Sequence, residues 1–202
     1  ATINTKSMVI NYLGGEDWSA QYTMASSDIN GTLTFTIDFK DYAGNVGSQV
    51  TNTTDLSSVT FDKTAPSYAS VKIYSNNPNP AYAKDGDLIT LDFKTSESIQ
   101  TPTVSINDVT ATSITGGPTD WIATRIINSG ESEGTVQFTI DIEDLAGNAT
   151  GTRYSTSDGS KVTFDNTAPN ISSITLPSGV YKVGSTISIL ITTDANTYTG
   201  TT

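Results

Sequence analysis

Thr34-Phe35-Thr36-Ile37-Asp38-Phe39-Lys40-Asp41-Tyr42-Ala43-Gly44-Asn45, followed by Val59-Thr60-Phe61-Asp62-Lys63-Thr64-Ala65-Pro66, is a pattern the chain writes twice. The second copy runs Gln137-Phe138-Thr139-Ile140-Asp141-Ile142-Glu143-Asp144-Leu145-Ala146-Gly147-Asn148 and then Val162-Thr163-Phe164-Asp165-Asn166-Thr167-Ala168-Pro169. Matched positions stand 103 residues apart (41 to 144, 66 to 169), with no gap between the two motifs. That period has the size of a domain; a solenoid turn is about 20–50 residues. The chain therefore reads as an array of domains.

Outward from that stretch, apolar residues alternate at period two and helix signals are nearly absent, as β-strands require. Leu33, Phe35, Ile37 and Phe39 form the clearest strand, repeated as Val136, Phe138, Ile140 and Ile142, with Thr34, Thr36 and Asp38 on the other face. Upstream, Met8, Ile10 and Tyr12 alternate, Gly14-Gly15 turns, and Trp18, Ala20, Tyr22 and Met24 alternate again. Trp18 recurs as Trp121, and the turn as Gly116-Gly117-Pro118. After the Asp41 motif a loop is expected, then a short last strand through Val59 and Phe61.

Beyond Pro66 come a strand through Val71 and Ile73, turn-rich Ser75–Pro80 and Lys84–Asp87, a strand through Ile89, Leu91 and Phe93, and a third through Val104 and Ile106, which rejoins the first copy at Ile3. A complete domain over 66–168 thus holds about seven short strands, a count and spacing that predict an antiparallel immunoglobulin-like β-sandwich. The same strands suit an open meander or a small barrel. After Pro169, Ile174 and Leu176, then Tyr181–Ser185, then Ile187, Ile189 and Ile191 match the first two strands of that domain. Residues 1–65 read as a domain lacking those two strands, and 169–202 as the first two strands of another. Thr199–Thr202 followed by Ala1–Asn4 resembles Thr101–Asn107, so the two ends together spell one more repeat.

Composition bounds the function. Of 202 residues, 21 are acidic and 10 basic, for a net charge of −11. That balance argues against nucleic acid and anionic membranes, which need a basic patch, and suits solubility or hard cations bound through oxygen. No apolar run reaches the roughly 18 residues of a transmembrane helix. Ala1 reads as an internal cut, so the missing leader is silent on export. Cysteine is absent, which excludes disulfides and bears little on compartment. Histidine is absent too, removing the usual general base, the thiolate nucleophile and the commonest zinc ligands together. A two-carboxylate glycosidase is not excluded by composition, but the acids recur at repeat positions and loops, as structural parts do. No enzyme is expected.

Asp-X-Ala-Gly-Asn at 41–45 and 144–148, with Phe-Asp-X-Thr-Ala-Pro at 61–66 and 164–169, resembles the tandem bacterial immunoglobulin-like repeats of giant surface adhesins. The likeness spans essentially the whole chain. It implies a secreted or cell-surface rod, stiffened by calcium at domain junctions, that holds an adhesive tip away from the cell. Similar repeats occur in surface-layer and filament proteins. The implied partners are therefore neighbouring repeats or copies of the chain. The expected function is a structural stalk or spacer, the alternative a self-assembling filament or surface-layer subunit in which C-terminal strands complete the next copy. Which ligand a tip would bind does not carry over, because fold is not function.

The candidate metal ligands follow. Asp41 and Asp144 either shape a tight turn through their own backbone or bind calcium, which wants about six to eight oxygens. Asp62 and Asp165 end a last strand just before Pro, which stops the strand and stiffens the crossing. With the sandwich's strand order, Asp62 approaches the Asp144 loop and the turn Ser96-Glu97-Ser98, predicting a junction site of Asp62, Glu97 and Asp144. Asp165 would meet Asp194 at the next junction. Solvated charges at a linker are the alternative. Asp85 and Asp87 read as turn residues at the opposite pole. Trp18 and Trp121 read as core or edge aromatics, with a sugar platform as the other use. Asn30, Asn52, Asn148 and Asn170 open Asn-X-Ser/Thr triplets that matter only if the source glycosylates.

Overall fold

The computed structural model describes residues 1–194; the segment Thr199–Thr202 invoked above lies outside them. Among the described residues all regular secondary structure is strand. β1 (Thr2–Ile3) and β2 (Lys6–Ser7) pair across a turn in which Asn4 and Thr5 adopt φ of 42° and 67°. β3 (Val9–Gly14) and β4 (Asp17–Gln21) form a hairpin. β5 (Gly31–Thr32), β6 (Phe35–Thr36) and β7 (Thr60–Phe61) complete this segment, β6 lying on β1 and β7 on β5.

The next segment is richer. It contains β8 (Tyr68–Ser75), β9 (Tyr82–Ala83), β10 (Leu88–Thr95), β11 (Thr103–Ile106), β12 (Val109–Thr110), β13 (Ser113–Gly116), β14 (Asp120–Ile126), β15 (Gly134–Thr135), β16 (Phe138–Asp141) and β17 (Thr163–Phe164). One antiparallel sheet has the order β13-β14-β10-β8; facing it are β12-β11-β16 and β15-β17-β9. Period-two alternation turns one row of each strand inward. Val71, Ile73, Ile89, Leu91, Phe93 and Ala123 of the first sheet meet Val104, Ile106, Phe138, Ile140 and Phe164 of the second in one core, all 6% exposed or less. The Tyr68 hydroxyl crosses between the layers to the Ile140 carbonyl at 2.7 Å. β18 (Ile171–Thr175) and β19 (Leu190–Thr193) form a separate antiparallel pair.

Three details depart from the sequence reading. The middle segment has more and shorter strands than about seven, because the ladder breaks at turns that pattern alone passes over. The stretches after the Asp41 and Asp144 motifs are not open loops but fold back in isolated bridges: Ile37 bridges Val50 and Ile140 bridges Arg153. Gly44 and Gly147, at φ 92° and 89°, reverse the chain and bring them back. Finally, β17 pairs with β9 in parallel, Thr163 with Tyr82, so the fold is not wholly antiparallel.

Local bonding repeats at the same offset as the sequence. Thr2 Oγ1 and Thr36 Oγ1 lie 2.7 Å apart, as do Ser105 Oγ and Thr139 Oγ1. The Asn45 amide donates to Asp41 Oδ1 at 2.8 Å, and the Asn148 amide to Asp144 Oδ1 at 2.8 Å. Thr53 Oγ1 donates to the Ser57 carbonyl and Thr156 Oγ1 to the Ser160 carbonyl, both at 2.9 Å.

Candidate metal centre

The crossing from Phe61 to Pro66 is held by short-range bonds that its sequence dictates. Asp62 accepts the Thr64 amide on Oδ1 at 2.9 Å, a side-chain turn that redirects the chain as it leaves β7. Asn30 donates to Asp62 Oδ1 at 3.0 Å and to Thr64 Oγ1 at 2.6 Å, while Lys63 Nζ reaches back to the Ser26 and Asp28 carbonyls at 2.7 Å each. Pro66 is fully buried, whereas Lys63, Thr64 and Ala65 before it are exposed.

On the far side stands the loop after β16. Asp144, only 2% exposed, accepts the Ala146 and Asn148 amides on Oδ1 and the Asn148 side-chain amide on Oδ2. The same Asn148 Nδ2 donates to the Asp62 carbonyl at 3.1 Å. This contact between the two repeats escaped the sequence reading, which gave Asn148 no part in the crossing. Gln100 also escaped it: its side chain donates to the Asp144 carbonyl at 3.0 Å, and its amide to that of Glu143 at 2.9 Å. The signal for both was the bare fact that a turn motif lay next to a domain crossing.

Asp62, Glu97 and Asp144 each place a carboxylate oxygen within 4.8 Å of the others. They line an open cleft of about 420 Å³ with Thr60, Ser98, Leu145 and Ala146. Among the described residues none of the three is ion-paired. Burial pushes the Glu97 carboxyl up, and the charges of Asp62 and Asp144 push it further. Burial also works to raise Asp144, but the donors from Asn148, Ala146 and Gly147 outweigh it and hold this carboxyl below the usual range. The cleft thus gathers negative charge, and no cationic side chain lines it among the described residues. Oxygens on opposite sides of a calcium ion, at about 2.3–2.6 Å each, lie roughly 4.6–5.2 Å apart. The 4.8 Å limit on the trio falls within that span.

Among the described residues the other candidates join no group of three or more acids. Asp41 is exposed and bonds within its own turn, to the Asn45 amide and side chain at 2.8 and 2.7 Å. Asp165 is exposed and caps the Thr167 amide at 3.0 Å. Asp194 accepts the Asn170 amide on Oδ2 at 2.8 Å. Asp194 occupies the place of Ser96 and not that of Glu97, since Ser96 Oγ accepts the Ser67 amide in the same way, at 2.9 Å. Asp85 and Asp87 work in turns, Asp85 accepting the Ser129 amide and Asp87 the Lys84 amide. Trp121 is in the core at 8% exposure, its ring nitrogen donating to the Pro118 carbonyl, while Trp18 is 63% exposed and packs tilted against Tyr12, the ring centroids 4.8 Å apart. No helix of the described residues is long and apolar enough to cross a membrane. Compared with known proteins, the chain matches no family model, no curated protein and no solved structure.

Proposed function

We propose that the chain is a section of a tandem immunoglobulin-like array, with domain limits near 65 and 168, serving as a mechanical spacer of a surface adhesin outside the cell. In this reading calcium at Asp62, Glu97 and Asp144 stiffens the first junction. The observation that carries it is the trio itself. Its acids come from both sides of the Phe61–Pro66 crossing, lie within one coordination shell, and have no cationic partner among the described residues. An ion bridging them links Asp62 of the first repeat to Glu97 and Asp144 of the second, so its binding energy resists bending at that crossing. Calcium would supply charge neutralisation there and no chemistry. The absence of histidine and cysteine, with acids placed in turns and crossings, favours a scaffold over a catalyst.

Calcium titration followed by calorimetry and small-angle scattering tests this. A ligand at about 100 times its Kd stabilises the folded state by roughly 2.7 kcal/mol, or on the order of 5–10 °C in Tm for a chain of this length. The same titration should narrow the distribution of interdomain angles. Millimolar calcium that leaves both Tm and the scattering profile unchanged overturns the reading.

A further inference from the structure

The last stretch of the middle segment runs beside its first stretch, and in the same direction. The Val71 amide of β8 donates to Ser157 Oγ at 2.9 Å, and the Ser157 amide donates to the Val71 carbonyl at 2.8 Å. Further along, the Ile73 amide donates to Ser160 Oγ at 3.0 Å. β9 then takes over, with Thr163 beside Tyr82 and Phe164 beside Ala83 in parallel. The Thr163 amide on the Ala81 carbonyl at 2.8 Å and the Asp165 amide on the Ala83 carbonyl at 2.9 Å flank that pair.

Residues 157–160 are not a regular strand, so two serine hydroxyls meet the β8 amides that a neighbouring strand would otherwise meet. Their loop is shaped by its own sequence. Thr156 Oγ1 donates to the Ser160 carbonyl and the Ser160 amide to Asp158 Oδ1, both at 2.9 Å, with Gly159 at φ 75°. Thr53, Asp55 and Ser57 make the same two bonds, with Leu56 at φ 62°. The hydroxyls are therefore held in place before they meet β8.

In the array reading, tension enters the middle segment at Pro66, just before β8, and leaves at Pro169, just after β17. Pull at Pro66 drags the first stretch backward along its axis, and pull at Pro169 drags the last stretch forward along its own. The bonds between the two stretches lie across that pull, so they are loaded together rather than one at a time. We propose that Ser157, Ser160 and the β9–β17 pair form a shear clamp that keeps the middle segment closed under tension. The clamp presupposes the array reading and does not involve calcium. It resists stretching within a repeat, where the acid trio resists bending between repeats.

Single-molecule pulling on the full-length chain, in calcium-free buffer, tests it. The chain has no cysteine, so two introduced cysteines define the handles. Ala65→Cys with Ala168→Cys, both exposed, loads the clamp in shear. Lys84→Cys with Ala168→Cys, also exposed, pulls from the ends where β9 and β17 finish and peels the same bonds apart in turn. At a given tension the chain should survive longer with the shear handles than with the peel handles. Ser157→Ala with Ser160→Ala should speed unfolding about tenfold in shear, since two hydrogen bonds are lost at once. The same double variant should change little in peel, where the β9–β17 end opens first. Ser113→Ala, on the far edge of the same sheet, should change neither. Circular dichroism and the buried Trp121 check that each variant folds. Equal lifetimes in the two geometries overturn the clamp. So does a double variant that unfolds no faster in shear, or one that unfolds faster by the same factor in both, which marks a general loss of stability. A failed clamp leaves the calcium and scattering result at the junction standing, and a failed junction leaves the clamp measurable.

Discussion

Trp18 and Trp121 hold the same place in two copies of one pattern, and one is 63% exposed where the other is 8%. The difference is not local. The turns, the short ladders and the hydroxyl pairs agree between residues 1–65 and 66–168 almost bond for bond. What separates the two regions is a strand pair, β8 and β10, that covers one inner face and not the other. Alternation therefore marks which residues are able to be core; a second layer decides whether they are.

The largest expected contrast is in the core. Ile140→Ala, at a fully buried site, should cost about 2–5 kcal/mol in denaturant unfolding followed through Trp121. Ile37→Ala, at the matching 39% exposed site, should cost well under half of that at low protein concentration. Equal costs at the two sites would mean that residues 1–65 are covered in solution.

A second contrast is electrostatic. Arg125, 6% exposed, donates to both Glu131 oxygens at 2.8 and 2.5 Å and to the Ile106 carbonyl at 3.0 Å. The matching positions in residues 1–65 are Tyr22 and Asp28, where a phenol hydroxyl lies 3.1 Å from Asp28 Oδ2. Burial opposes the Glu131 charge, but the bonds from Arg125, Asn107 and the Asn128 amide override it and hold the carboxyl at about 2, against an ordinary 4.5. A folded-state value below the unfolded one stabilises above the unfolded value and is lost as pH falls. The contribution of Glu131 should accordingly be complete above about 4.5 and disappear on acidification toward about 2. Glu131→Gln, which leaves Arg125 without its counter-charge, should cost roughly 2–3 kcal/mol at neutral pH and flatten that acid limb. Tyr22→Phe should leave the limb in place.

The proposed calcium site divides the two turn motifs. Glu97→Gln should weaken calcium binding about tenfold or more, equivalent to roughly 1.4 kcal/mol, measured by titration calorimetry. Asp41→Asn, in the matching motif with no acidic partners gathered around it, should leave binding unchanged. A comparable loss in both variants would place the ion elsewhere.

The smallest effect should be the same in both regions. Gly44 and Gly147 have φ of 92° and 89°, and an added Cβ would meet nothing within 4 Å at either. Gly→Ala at each should therefore cost about 1–2 kcal/mol from backbone strain alone. Unequal costs would show that the Asp-X-Ala-Gly-Asn turn is itself stiffened by the junction at 144–148.

By itself the sequence determined the all-β class, the domain-length repeat and the inward rows, because strand side chains alternate and the motifs align without a gap. It also brought Asp62, Glu97 and Asp144 onto one short list, since strand order alone puts a crossing, a turn and a motif loop at the same pole. Tertiary structure decided the rest. Asp194 caps the Asn170 amide, because its place in the pairing corresponds to Ser96 rather than Glu97. Asn148 and Gln100 became junction and loop contacts, because a side-chain amide bonds whatever carbonyl the packing brings near. The parallel contact of β17 with β9 depends on a pairing remote in sequence, and the chain's return after each motif rests on isolated bridges; neither leaves a periodic signal of its own. Above all, the contrast between Trp18 and Trp121 could not be read from two copies of one pattern, because burial belongs to the pair of surfaces that meet and not to the strand that carries the residue.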